Sequence, residues 1–161
     1  MNVTERIIRH LDDNAVAYRL IEHEPAGSAE EYHQVLGTRY EQQAKALFLR
    51  VKNGKQKSFA VLALQAQKRA DLTASSDVLK ASNVRLATAD QLFEVTGCRF
   101  GELPPFGKPF DVPLLLDCDL LDESEIYFNI GDLSRSMALD PAALVELEAP
   151  ILFRPTRRDA P

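Results

Sequence analysis

Lys45 heads an aliphatic run, Ala44-Lys45-Ala46-Leu47-Phe48-Leu49, and a lysine in such apolar company is uncommon. Far along the chain, Gly101-Glu102-Leu103-Pro104-Pro105-Phe106-Gly107 sets two glycines around a diproline. Proline fixes φ and removes a donor, while glycine lets backbone approach a ligand, so this segment reads as a shaped loop rather than slack linker. An ammonium and positioned backbone amides are suited to stabilising negative charge that develops on an oxygen, where one preorganised donor is commonly worth about 3 kcal/mol of barrier. Taken alone, the lysine also fits a strand-edge side chain that snorkels to solvent. No nucleophile accompanies the pair. Gly-x-Ser-x-Gly is absent, and Ser134 and Ser136 have no histidine partner evident in the sequence. Cys98 adjoins Arg99 but lacks a nearby helix N-terminus or histidine that would favour a thiolate, so it reads as structural.

The elements that must hold these residues follow from periodicity and punctuation. Ile7, Ile8 and Leu11 lie at helical spacing behind Asn2 or Thr4, which predicts a helix over about 4–13. A short strand over 18–21 leads to His23. Ser28-x-x-Glu31 is a capping box for a helix that ends at Gly37. Ala46 to Val51 should pair with Ser58 to Leu64 through an Asn53-Gly54 turn, and both strands are apolar on both faces, so they should be covered. A helix over about 75–81, a strand over 84–87 and a Thr88-capped helix through Val95 come next. Val112 to Leu116, Glu125 to Ile130 and Ser136 to Leu139 read as strands. Asp140-Pro141 opens a last helix and Ile151-Leu152-Phe153 is a candidate edge strand. His10 and His33 read as helix-surface residues. Hairpins mixed with helices indicate α+β, because several strand pairs are joined too tightly for parallel crossovers.

A chain of 161 residues with 45% apolar content suits one domain, residues 1–161, with a core that needs no disulfide or metal staples. Cys98 and Cys118 show no metal-ligand spacing, so no metal site is expected. There is no signal-peptide run and nothing near the roughly 18 apolar residues of a membrane span, so a cytoplasmic protein without membrane contact is expected. A net charge of −5 excludes broad phosphate coating. Arg50, Lys52, Lys55 and Lys57 still cluster around the hairpin turn, where they fit either a solvated tip or a nucleic-acid contact. Arg154, Arg157 and Arg158 form a second basic group in the tail, which reads as frayed.

The order and spacing of several short motifs resemble the YbaK and prolyl-tRNA synthetase-associated editing domain family. They are His23-Glu24 ahead of Ser28-Ala29-Glu30-Glu31, Leu36-Gly37, Ala44-Lys45-Ala46-Leu47, the Gly101-x-x-x-Pro105 loop, Leu114-Leu115-Leu116-Asp117 and Asn129-Ile130-Gly131. Phe100 stands where many relatives have a paired glycine, and Ile130 replaces an alanine. The resemblance implies a mixed, partly barrel-like β-sheet with peripheral helices. It implies an aminoacyl-tRNA deacylase without metal or cofactor, in which water attacks the ester of a mischarged tRNA, with Lys45 and Gly101 as catalytic residues. His23, Ser28, Leu103, Pro105, Phe106, Gly107, Asp117, Asn129 and Gly131 would bind substrate. By residue type alone, His23 equally fits a hydrogen-bonded strand end, and Asp117 and Asn129 equally fit turns. Arg50, Lys52, Lys55 and Lys57 would touch tRNA, and a synthetase is a further candidate partner. A small amino acid is implied, since apolar pockets resolve one methylene by only about 1–3 kcal/mol and editing sites admit what is small. The other reading is a non-catalytic member that keeps the fold to bind tRNA or a synthetase.

Overall fold

The computed structural model describes residues 1–154 and the backbone of 156 and 157; of the basic tail group, Arg158 and the Arg157 side chain lie outside the described residues. Helix α1 (Val3–Asp13) starts where the Asn2 side chain accepts the Glu5 N–H, and it buries Ile7 and Leu11. Strand β1 (Arg19–Glu22) follows, then α2 (Ala29–Leu36), whose Ser28 cap accepts the Glu31 N–H. Next come β2 (Ala44–Asn53), β3 (Gln56–Gln65), the two-residue β4 (Arg69–Ala70), α3 (Leu72–Leu79) and β5 (Asn83–Leu86). The chain continues through α4 (Ala89–Thr96), β6 (Leu114–Asp117), β7 (Ile126–Asn129) and β8 (Arg135–Leu139). It closes with α5 (Pro141–Glu148), β9 (Ile151–Phe153) and β10 (Thr156–Arg157).

A five-stranded sheet in the order β5-β2-β3-β6-β9 forms the main layer, a three-stranded sheet runs β1-β8-β7, and β4 pairs with β10. The β2–β3 and β2–β5 pairs are antiparallel, whereas β6 runs parallel to both β3 and β9. Alternation along the hairpin buries both faces. Phe48, Val61, Ala63, Leu114 and Leu116 join a core with Ile7, Leu11 and Phe128. Leu49, Val51, Ala60, Leu62 and Leu115 face the opposite way, against Leu72, Leu79 and Phe153. This is why the hairpin sequence carries so few polar positions.

The α+β class and the peripheral helices are as expected, but the sheets do not close into a barrel. Among the described residues, a Gln43–Tyr127 bridge is the backbone ladder contact that brings the three-stranded sheet to β2. The hairpin loop is Gly54-Lys55 rather than Asn53-Gly54, because Asn53 is still paired with Gln56; glycine then takes the first loop position, φ 63°. Helix α3 begins three residues before Ser75, where Asp71 caps it by accepting the Ala74 N–H at 3.1 Å. His10 is no plain surface residue: its Nε2 lies 2.7 Å from Oε2 of the buried Glu148 carboxylate. No helix among the described residues is long and apolar enough to cross a membrane.

Candidate active site

A cavity of about 460 Å³ opens between the first half of β2, the loop that leads into α2, the β5–α4 junction, and the segment around Gly101. Lys45, Gly101, Ser28, Leu103 and Asn129 all line it. Residues separated by as many as 101 positions thus meet at one place, and the topology explains how. Strand β2 supplies Lys45 at its start, β7 supplies Asn129 at its end, and the bridge at Gln43 aligns the two strands.

Lys45 is fixed from below. Its Nζ donates to the Lys68 carbonyl at 2.6 Å. Lys68 is anchored in turn, with its ammonium 3.0 Å from Asp117 Oδ2 and 2.6 Å from Asp119 Oδ2. Asp117 is fully buried and also accepts the Gln65 and Asp119 amides at 3.3 and 3.0 Å. It therefore does not line the cavity; it holds the turn whose carbonyl holds Lys45. The ligand atoms of Asp117, Cys118 and Asp119 lie within 4.8 Å of one another, but the two carboxylates are already paired with cations, both with the Lys68 ammonium and Asp119 also with Arg154 at 3.3 Å.

Asn129 clamps two walls. Its Nδ2 donates to Ala26 O at 2.9 Å and to Gly101 O at 3.0 Å, while its Oδ1 accepts from Ser136 Oγ at 2.9 Å. Ser136 sits directly across from Asn129 in the β7–β8 register. His23 stands behind this pair, with Nε2 2.6 Å from Ser136 Oγ and Nδ1 2.7 Å from Glu24 O. His23 thus supports the wall without lining the cavity, and it gives Ser136 the histidine neighbour that the sequence did not reveal. The Gly131 N–H donates to Glu102 O at 2.7 Å, which pins the proline loop from its outer side. Gly131 packs on Val3 of α1 and stays out of the cavity. Gly101 has φ 87°, a left-handed conformation that favours glycine, and a Cβ there would sit tightly, 3.3 Å from Leu133 Cδ2 and 3.4 Å from Gly27 O.

The rest of the proline loop is structural. Phe106 is fully buried, with its ring edge-on to Phe128 at 5.6 Å. Pro105 is buried with it and does not line the cavity. Gly107 leaves no room for a side chain, since a Cβ would lie 2.3 Å from Val112 O. Its N–H and that of Lys108 donate to Glu148 Oε1 at 2.7 and 2.9 Å. Of Leu103, Pro105, Phe106 and Gly107, only Leu103 reaches the cavity.

The basic hairpin lies elsewhere. Arg50 is 5% exposed and donates to Asn83 Oδ1, so it has little surface to offer a polyanion. Burial, and secondarily Arg85 across the strand pair, lower its pKa. Lys52, Lys55 and Lys57 are exposed at the far end of the hairpin, and Gly54 is roughly 30 Å from Lys45 at about 3.3 Å per residue. Cys98 is buried, and that burial pushes its thiol up to about 11 against a smaller pull from Thr96, as befits a structural thiol.

Sequence reading missed Gln43, Tyr32 and Phe100 as cavity residues. Gln43 is buried and donates from Nε2 to Thr38 Oγ1 at 3.3 Å. Tyr32 is buried, edge-on to His23 at 5.7 Å, and its Oη makes no hydrogen bond of good geometry. Burial raises its pKa while the nearby Ser136 hydroxyl counteracts. The available signal was an aromatic ring among Glu30, Glu31, His33 and Gln34 on a mostly polar helix.

The family model of the aminoacyl-tRNA editing domain matches residues 23–147. The chain is 32% identical over 155 residues to the multifunctional Ser/Thr-tRNA deacylase ProXp-y of Escherichia coli, covering 94% of this chain and 93% of that one. It is 28% identical over 143 residues to the prolyl-tRNA editing protein ProX of Acetoanaerobium sticklandii, covering 86% of each. The crystal structure of a hypothetical protein superposes with a TM-score of 0.85 at 21% identity, covering 94% of this chain and 99% of that one, and shares the fold.

Proposed function

The chain belongs to the aminoacyl-tRNA editing domain family, and from that premise we propose how it works as a deacylase that clears mischarged tRNA in trans, with the ester of a small amino acid as its substrate. One observation carries the reading: Lys45 and the Asn129-held Gly101 turn flank the same cavity. An ester carbonyl seated between them meets an ammonium on one side and backbone on the other. Attack by water places negative charge on that carbonyl oxygen, and donors already in position stabilise it without reorganising. No side chain needs to form a covalent bond with the substrate. The buried Cys98 thiol and the Ser136 hydroxyl, enclosed by Asn129 and His23, are poorly placed to do so.

The acyl side chain would rest against Phe48, Ala87, Leu92 and Leu103, an apolar surface that tolerates small groups and reads them weakly. Tyr32 adds ring surface to the same lining, while its hydroxyl is itself buried in the wall. Seryl and threonyl esters lead the candidates, in keeping with the Ser/Thr-tRNA deacylase to which the chain is 32% identical, followed by alanyl and cysteinyl esters.

The test is deacylation by purified protein at fixed salt, using tRNAs that carry serine, threonine, alanine or cysteine, with cognate prolyl-tRNA as control. Selective hydrolysis of one or two small esters is expected. Measurable tRNA binding with no turnover across the panel would overturn the catalytic reading in favour of a binding module. A synthetase that supplies acceptor-stem recognition would raise kcat/KM when added to the same assay.

A further inference from the structure

The cavity opens beside three large apolar side chains that the fold leaves in solvent. Leu86 at the end of β5, Phe93 on α4 and Phe100 ahead of Gly101 are 52%, 51% and 68% exposed. Leu86 and Phe100 line the cavity, as does Leu92, the chain neighbour of Phe93. An arginine flanks the group. The Arg99 guanidinium lies over the Phe93 ring, 5.1 Å from its centroid, so a cation already meets an aromatic face one residue from Phe100. Of the acidic neighbours, Glu102 is committed to the Arg99 N–H at 2.7 Å, while Asp90 and Glu94 are exposed on α4.

Nothing in the packing accounts for Phe100, since its ring contributes little to either hydrophobic core. On the deacylase reading, on which this inference rests, the ester that enters the cavity is the terminus of a single RNA strand. The last bases of that strand must then lie at the cavity mouth. Unpaired RNA is bound by stacking its bases on aromatic rings and arginine planes, with cations taking the backbone. We propose that Phe100 and the Phe93–Arg99 pair form the platform that receives the unpaired bases at the 3′ end of tRNA, beside the ester site. A protein partner would suit the apolar side chains, but an arginine held over an exposed ring beside the ester site matches a base or a phosphate better.

The test uses the whole chain and an uncharged RNA hairpin that ends in single-stranded CCA, with 2-aminopurine in place of the last adenine. Wild-type protein should quench the fluorescence of this base. Phe100→Ala should remove most of the quenching and raise KM for the preferred aminoacyl-tRNA about tenfold, with kcat nearly unchanged. Phe100→Trp should restore both, and Arg99→Ala should weaken both. Phe100 is largely exposed, so an unaltered melting temperature is expected of each variant. Equal quenching and KM in Phe100→Ala would overturn the proposal. So would a change of mass in solution with KM unaltered, which would assign the surface to a second copy of the chain. If wild-type protein hydrolyses no ester, the deacylase reading fails by itself, while quenching and its loss in Phe100→Ala still decide the platform.

Discussion

Asn129 uses both amide protons and its carbonyl, so the position cannot accept an acid. Asn129→Asp removes two donors and sets a carboxylate against two carbonyl oxygens; stability should fall by about 2–3 kcal/mol and turnover at least tenfold, read by denaturant melts and deacylation. Lys45 faces a different demand, since it lines the cavity beside the proposed position of the ester. Lys45→Ala should lower kcat by about 10²–10³ and leave the melting temperature within a few degrees, and unchanged turnover would remove the residue from the mechanism. Cys98 provides a control with a pH signature. Folding raises the thiol above its ordinary 9.0 to about 11, so its contribution to stability is full below about pH 9 and is lost as pH climbs toward 11. Cys98→Ser should shrink that alkaline loss in a pH-dependent melt while deacylation at neutral pH persists.

At the scale of elements, the proline loop works because its far end is immovable. Gly107→Ala would drive a Cβ into Val112 O, and a cost of about 3 kcal/mol or more is expected, a fall of about 10 °C in Tm by calorimetry. Tyr32→Phe should be neutral or slightly stabilising in melts and leave deacylation nearly unchanged, because it deletes a buried hydroxyl that lacks a well-formed bond. Much of this scaffold was legible in the sequence. Ser28, Thr88 and Asp140 announce helix starts by capping chemistry, and the doubly apolar hairpin announces a covered sheet. What stayed hidden depends on register. His23 reaches Ser136 because β1 pairs with β8, and Lys68 reaches Asp117 because β6 lies parallel to β3, neither of which any spacing encodes. Strands β4 and β10 are two residues each, too short to show a period. The sequence grouped Gly107 and Phe106 with the ligand site because glycine and an aromatic serve close packing and ligand contact alike.

For the molecule as a whole, a net charge of −5 makes the placement of its cations decisive. Replacing Lys52, Lys55 and Lys57 together by serine should leave turnover of a short acceptor-end RNA substrate unaltered, since they lie roughly 23–30 Å from Lys45 along the hairpin; any effect should appear only with full-length tRNA and fade with salt. The bridge at Gln43 has a wider consequence. With the sheets unclosed, the cavity is a seam, and the bridge at one end and the Asn129 clamp at the other act as its stitches. An occupant of the seam adds a third stitch, so slowing of amide exchange on binding should concentrate in β7 and β8 rather than in the well-sewn β2–β3 hairpin.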